Sequence, residues 1–258
     1  MIELLTPQEV ERARPAGRFV GDTLQALRER IRVGTNLLEI DEWAARMIEA
    51  RAAVSCYVDY APSFGRGPFG HVICTSVNDA VLHGLPHDYA LQQGDLLSLD
   101  LAVSVDGWVA DAAVTFSVGG WACEGDRRMV EATERALEAA IRVARAGNRV
   151  GDLSHAVSRV LSGAGYRVNT DFGGHGVGST MHQDPHVPNQ GRPGTGPRLR
   201  PGMLLAIEPW VMADTDQLTV DDDGWTLRSR TGARAAHSEH TVAITTGDPV
   251  VLTRPSGA

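Results

Sequence analysis

Asp100 lies in the run Leu96-Leu97-Ser98-Leu99-Asp100-Leu101-Ala102-Val103, where every neighbour but one is apolar. A carboxylate there is costly to bury unless it is paired or holds a metal. Asp111 follows on the far side of Asp106-Gly107, a strong signal for a two-residue hairpin turn. Such a turn pairs residue 100 with 113 and residue 102 with 111. Asp100 and Asp111 then project from one face as diagonal neighbours. Two bare carboxylates at that range repel and raise one pKa of the pair, and a divalent cation removes the conflict. The plainer reading has Asp100 ending a strand and Asp111 capping a turn. Three more residues argue against it. Glu208 ends the apolar run Leu204-Leu205-Ala206-Ile207, Glu239 opens Glu239-His240-Thr241-Val242, and His175 stands among Gly173, Gly174, Gly176 and Gly178. Glycines on both sides let an imidazole approach an ion closely, and no lysine follows to make a phosphate loop. Four carboxylates and one imidazole suit two divalent ions, with Mn, Fe, Co or Zn all permitted. Two ions roughly 3.5–4 Å apart can share carboxylates and activate a water between them.

Among the remaining histidines, His83 and His182 are the candidates for chemistry. His182 follows His175 closely enough for one short loop to bring both to one cavity. His240 should point away from Glu239 by strand alternation. His71, His87, His155, His186 and His237 are read as surface or packing residues. Asp221-Asp222-Asp223-Gly224 lacks the alternating ligands of a calcium loop and is read as a hairpin turn.

These residues need a scaffold. Thr6-Pro7-Gln8-Glu9 forms a capping box with proline at the first helical position. Apolar residues at helical spacing continue through Ile31, with Gly34 as the stop. A second helix starts near Asn36. The segment from Tyr57 to Gly70 is a loop rich in glycine, proline and aromatics. Leu97, Leu99, Leu101, Val103 and Val105 then alternate as a strand, and Trp108 to Val118 returns. Helices follow over about Asp126–Ala146, stopped by Gly147, and about Asp152–Leu161. Gln183 to Gly202 is proline- and glycine-rich and is read as a loop, and the remainder as strands. The segment Gly94–Asp100 can be laid on Gly202–Glu208, and Gly34–Ile48 on Gly147–Leu161, at nearly equal offsets. Two related helix-helix-strand halves, roughly 1–120 and 121–258, are therefore expected to form one domain of α/β (α+β) class.

The bulk composition narrows the function. In 258 residues, 43% are hydrophobic and the net charge is −8, as for a globular protein without a basic surface, so nucleic-acid binding is not expected. Cys56, Cys74 and Cys123 make an odd set without metal-ligand spacing, which points to a reducing compartment. The amino-terminal residues do not read as a signal peptide and no apolar run is long enough to span a membrane, so a cytoplasmic protein is expected.

The motifs Ser76-Val77-Asn78-Asp79 to His83-Gly84-Leu85-Pro86, Asp100 to Asp111, Gly174-His175-Gly176-Val177-Gly178 to His182, Ala206-Ile207-Glu208-Pro209 and Ser238-Glu239-His240-Thr241-Val242 resemble, in order and spacing, those of methionine aminopeptidases. The resemblance spans nearly the whole chain. Without a helical insertion before the final glutamates, it is to the type I branch. It implies the pita-bread fold, two pseudo-symmetric halves with a curved, mostly antiparallel sheet around a dinuclear centre. It implies two divalent ions, with Asp100 chelating one, Asp111 and Glu239 bridging both, His175 completing the other site, and Glu208 acting as ligand and proton shuttle. The implied reaction removes the N-terminal methionine of peptides and nascent chains through a metal-bridging hydroxide. His182 would stabilise the oxyanion and His83 would hold the amide nitrogen beyond the scissile bond. Cys74, Met181 and Trp225 fall on positions that line the methionine pocket in the family. An aromatic of the Tyr57–Phe69 loop should complete that pocket, but this loop is longer than in the commonest members and does not align residue by residue. The resemblance raises the ribosome as a partner and a monomer is expected. Gln183, Trp210 and His237-Ser238 depart from the family's usual residues, and none of them removes a ligand. The competing readings are a prolidase or Xaa-Pro aminopeptidase, a non-catalytic pita-bread binding module, and a dinuclear phosphoesterase. For the last, no Lys/Arg cluster is seen that would hold a phosphate.

Overall fold

The computed structural model describes residues 2–62 and 65–257. Helix α1 (Pro7–Arg30) begins as the capping box requires: the Glu9 amide donates to Thr6 Oγ1 at 3.3 Å, and the Thr6 amide donates back to Glu9 Oε2 at 2.8 Å. Helix α2 (Leu37–Ala50) repeats the device with Asn36 and Glu39. Strands β1 (Val54–Ser55), β2 (Cys74–Val77) and β3 (Ala80–Leu82) lead to the long hairpin of β4 (Leu96–Val105) and β5 (Trp108–Ser117). Asp106 and Gly107 both take positive φ, 51° and 83°, as a two-residue turn between twisted strands demands. Helices α3 (Glu124–Val143) and α4 (Val150–Gly163) follow. The second half of the chain then supplies β6 (Gly173–Gly176), β7 (Gln183–Pro188), β8 (Leu204–Ile207), β9 (Trp210–Met212), β10 (Leu218–Val220), β11 (Leu227–Ser229), β12 (Ala235–His237), β13 (Glu239–Ala243) and β14 (Val250–Val251).

The main sheet has the order β1-β4-β5-β13-β8-β6-β7, with β2 added on β4 and β14 on β13, and its pairs are antiparallel. Alternation divides its residues between two faces. Leu97, Leu99, Leu101, Val103 and Val105 of β4 and Ala110, Ala112 and Phe116 of β5 pack with α1 and α2 in one core. Leu205 and Ile207 of β8 and Val242 of β13 pack with α3 and α4 in a second. Both helical pairs thus lie on one side, and the other side of each strand is left to line a concave face. Close packing on the helical side is tight enough to exclude a methyl group: a Cβ on Gly21 of α1 would sit 2.3 Å from the Thr253 carbonyl. Among the described residues no helix is long and apolar enough to cross a membrane.

Three expectations are corrected. Helix α1 ends at Arg30 and α3 at Val143, ahead of Gly34 and Gly147. Those glycines serve the turns that follow, at φ 89° and 97°. Gln183–Pro188 is a strand rather than the start of a loop. It pairs only with β6 at the edge of the sheet, where Pro185 and Pro188 need not supply ladder donors. The turn read at Asp221–Gly224 does join β10 to β11, with the Gly224 amide on the Asp221 carbonyl at 2.9 Å.

Candidate metal centre

Strand register carries the five candidate ligands to one place. Asp100 pairs with Ala113 and Ala102 with Asp111, as the Asp-Gly turn predicts. Ala113 also pairs with Glu239 on β13. Thr241, two residues on, pairs with Ala206 of β8, and Ala206 pairs with His175 of β6. Directly opposed residues share a face, and so do residues two apart along a strand. Asp100, Asp111, Glu239, His175 and, two past Ala206, Glu208 therefore all point to the concave side. Where β5 and β13 part, Thr241 clamps them: its Oγ1 accepts from the Asp111 amide at 2.9 Å and donates to the Asp111 carbonyl at 2.8 Å.

The five side chains meet at the foot of a cavity of about 280 Å³. His175 Nε2 lies 3.8 Å from Asp111 Oδ2 and 3.7 Å from Glu208 Oε1. One ligand atom each from Asp111, His175 and Glu239 lie within 4.8 Å of one another. His175 Nδ1 faces the Gly176 carbonyl at 2.9 Å, which fixes the proton on Nδ1 and turns the Nε2 lone pair toward the acids.

Electrostatics makes the cluster unfavourable as it stands. Burial, and then Asp100, push Glu208 up to about 8. Burial pushes Asp100 up to about 6, against the lowering effect of the Tyr57 hydroxyl. Asp111 and Glu239 are raised well above the carboxylate range by burial and by the neighbouring acids. Burial lowers His175 to about 3, keeping it a neutral ligand. Glu239 Oε1 is buried without a hydrogen-bond partner. Desolvated oxygens converging on a neutral imidazole nitrogen fit hard-to-borderline divalent cations, which would supply the charge these acids lack.

The auxiliary residues surround this centre. His182 stacks edge-on to His175, ring centroids 4.4 Å apart, and its Nδ1 is 3.0 Å from the Tyr60 hydroxyl. His83 is buried at the cavity wall, its ring 5.8 Å from Phe172, and burial followed by His182 lowers it to about 4. Cys74 and Trp225 line the cavity together with Tyr57, Tyr60 and Phe69 of the aromatic loop. Met181 does not line it; it is buried in the cluster behind, with Val177 and Leu204. Phe64 of that loop lies outside the described residues.

His237 requires a correction. Read from sequence as surface or packing, it is 2% exposed, and its Nε2 stands 3.9 Å from both Glu208 Oε2 and Glu239 Oε2. It pairs across β12 and β9 with Trp210, so two of the departures noted in the sequence face each other. The signal was present: His237 and Glu239 are two residues apart and hence on one side of an extended chain. Tyr57, whose hydroxyl donates to Asp100 Oδ1 at 2.6 Å, was also missed.

Comparison with known proteins agrees with this geometry. The model of metallopeptidase family M24 matches residues 11–246. A methionine aminopeptidase of Clostridium perfringens is 40% identical over 254 residues, covering 98% of this chain and 99% of that protein. The crystal structure of a methionine aminopeptidase from Thermotoga maritima superposes with a TM-score of 0.93 at 36% identity, covering 98% of this chain and 100% of that one. A Pyrococcus horikoshii prolidase shares the fold at a TM-score of 0.76 and 20% identity, but the match takes in only 64% of its length.

Proposed function

The chain belongs to metallopeptidase family M24, with the pita-bread fold of that family, and from that premise we propose that it is a metal-dependent aminopeptidase that removes the N-terminal methionine of peptides and nascent chains. Its full-length relatives are methionine aminopeptidases. The observation that carries the reading is the convergence of Asp100, Asp111, His175, Glu208 and Glu239 at the foot of one cavity with aromatic walls.

Asp111 and Glu239, in the middle of the cluster, would be shared by two divalent ions, with Asp100 on one side and His175 and Glu208 on the other. Such ions, when bound, acidify a water and polarise the scissile carbonyl. Glu208, beside His175 in the cluster, accepts the proton of the attacking water and delivers it to the leaving amine. The Tyr60 hydroxyl lies 3.0 Å from His182 Nδ1; donating there, it would leave the His182 proton on Nε2, where it can be offered to the developing oxyanion. A donor of that kind contributes about 3 kcal/mol to the transition state. His83, buried and neutral, holds the amide nitrogen beyond the scissile bond. Tyr60, Phe69 and Trp225 form an aromatic wall of the cavity, which suits an apolar side chain such as methionine.

The test uses chelator-stripped protein reloaded separately with Mn, Fe, Co and Zn. Methionine release from Met-Ala-Ser is expected to depend on added metal, and Glu208→Ala should abolish it while the protein stays folded. Cleavage of Xaa-Pro peptides in preference to Met-Ala-Ser would instead make the chain a prolidase-like enzyme, and metal-independent turnover would overturn the reading.

A further inference from the structure

Tyr57 lies in the segment that the family's pattern leaves unassigned. Strand β1 brings it there: Val54 and Ser55 pair with Ser104 and Val103 of β4, and the Cys56 amide continues the ladder onto the Ala102 carbonyl at 3.1 Å. The chain then turns into the aromatic loop and carries the phenol over the concave face. The residue is 8% exposed, with its ring edge-on to Phe69 at 5.5 Å. Its hydroxyl oxygen lies 2.6 Å from Asp100 Oδ1 and 3.4 Å from Asp111 Oδ1. A phenol has one proton to donate, and the shorter contact gives it to Asp100.

We propose that Tyr57 is a positioning residue of the metal centre: its phenol fixes the Asp100 carboxylate and thereby sets the affinity of the ion that Asp100 holds. The proposal rests on the metal-centre reading above. Asp100 sits on a strand whose backbone is fixed, but a carboxylate retains rotation about its last bond. The phenol removes that freedom by holding Oδ1 at 2.6 Å. It also uses one lone pair of Oδ1 while leaving the second. Hydrogen-bond partners that orient a metal ligand in this way typically change metal affinity by about 10–100-fold when removed. Burial between Phe69 and the sheet supports the role, because an ordered ring brings its hydroxyl to the carboxylate without further loss of rotamer freedom.

The experiment is a calorimetric titration of Mn into the chelator-stripped full-length chain, as wild type, Tyr57→Phe, Asp100→Asn and the double variant. Wild-type protein should take up the ion. Tyr57→Phe keeps the ring and should bind roughly 10–100-fold more weakly, while the metal-free protein stays folded. In the Asp100→Asn background the same change should do nothing more. As a readout independent of affinity, the visible absorption of the cobalt-loaded protein should change on Tyr57→Phe. Wild-type affinity in Tyr57→Phe overturns the proposal, as does an equal loss with and without Asp100. If the wild type itself binds no ion, the metal-centre reading has failed, an outcome separable from failure at Tyr57 alone.

Discussion

Glu208→Gln should make the metal-free protein more stable while destroying its chemistry. In the folded chain the Glu208 carboxyl titrates at about 8, against an ordinary value of 4.5, because burial and then the nearby Asp100 disfavour its charge. A folded pKa above the unfolded one means that the folded state holds the proton more tightly. Raising the pH therefore destabilises it. The cost is absent below 4.5, grows through the window from 4.5 to about 8, and levels off above. At pH 7 it amounts to about 3 kcal/mol. Glutamine has the same shape and no charge to bury, and it also relieves Asp111 and Glu239, whose pKa values Glu208 helps to raise, so the difference between variant and wild type reports this group together with its effect on those two. The buried histidines His83, His175 and His237, whose lowered pKa values oppose folding at acid pH instead, are present in both proteins. Thermal melts in chelator should show no difference at pH 4 and a rise at pH 7 of roughly 6–12 °C for a chain of this length. Adding Mn should reverse the order, since a ligand at a thousand times its dissociation constant contributes about 4 kcal/mol, and the variant would bind it less well. A metal-free variant that melts below the wild type at pH 7, or a difference that does not change with pH, would refute the electrostatic account of this site.

His182→Ala should lower kcat by about 100–1000-fold with a much smaller change in KM, since the imidazole acts on the developing oxyanion. Tyr60→Phe should give a smaller loss in the same parameter by freeing the His182 tautomer, and steady-state kinetics on Met-Ala-Ser checks both. Thr241→Val, nearly isosteric, removes both side-chain bonds to the Asp111 backbone. It should cost about 1–3 kcal/mol by urea unfolding and weaken Mn binding by calorimetry. Gln183→Glu would set a second carboxylate against Glu3, which now accepts from Gln183 Nε2 and the Ser179 amide at 3.0 Å each. The lost bond should lower stability by roughly 1.5–3 kcal/mol and loosen the loop that carries His182. Unchanged melting in Gln183→Glu would show that Glu3 does not hold that loop.

Local signals were sufficient wherever one short-range rule decided the outcome. The Asp106-Gly107 turn admits one register, and that register alone places Asp100 and Asp111 on one face. The capping boxes at Thr6 and Asn36 start their helices without help from the rest of the chain. The identity of the five ligands was legible because an acid in an apolar strand is an anomaly that needs a reason. Tertiary structure decided what depends on strand neighbours distant in sequence. That β13 enters between β5 and β8 brings Glu239 and Glu208 to the Asp100–Asp111 pair, and no periodicity specifies such an order. Gln183–Pro188 is a strand only because the sheet offers it an edge at which prolines need not donate. His237 reaches the site from β12, which pairs with β9 outside the main sheet, and Tyr57 because a loop folds back over the sheet. Side-chain alternation is a property of each strand alone, whereas which strands share an edge is determined by burial of both helical layers at once.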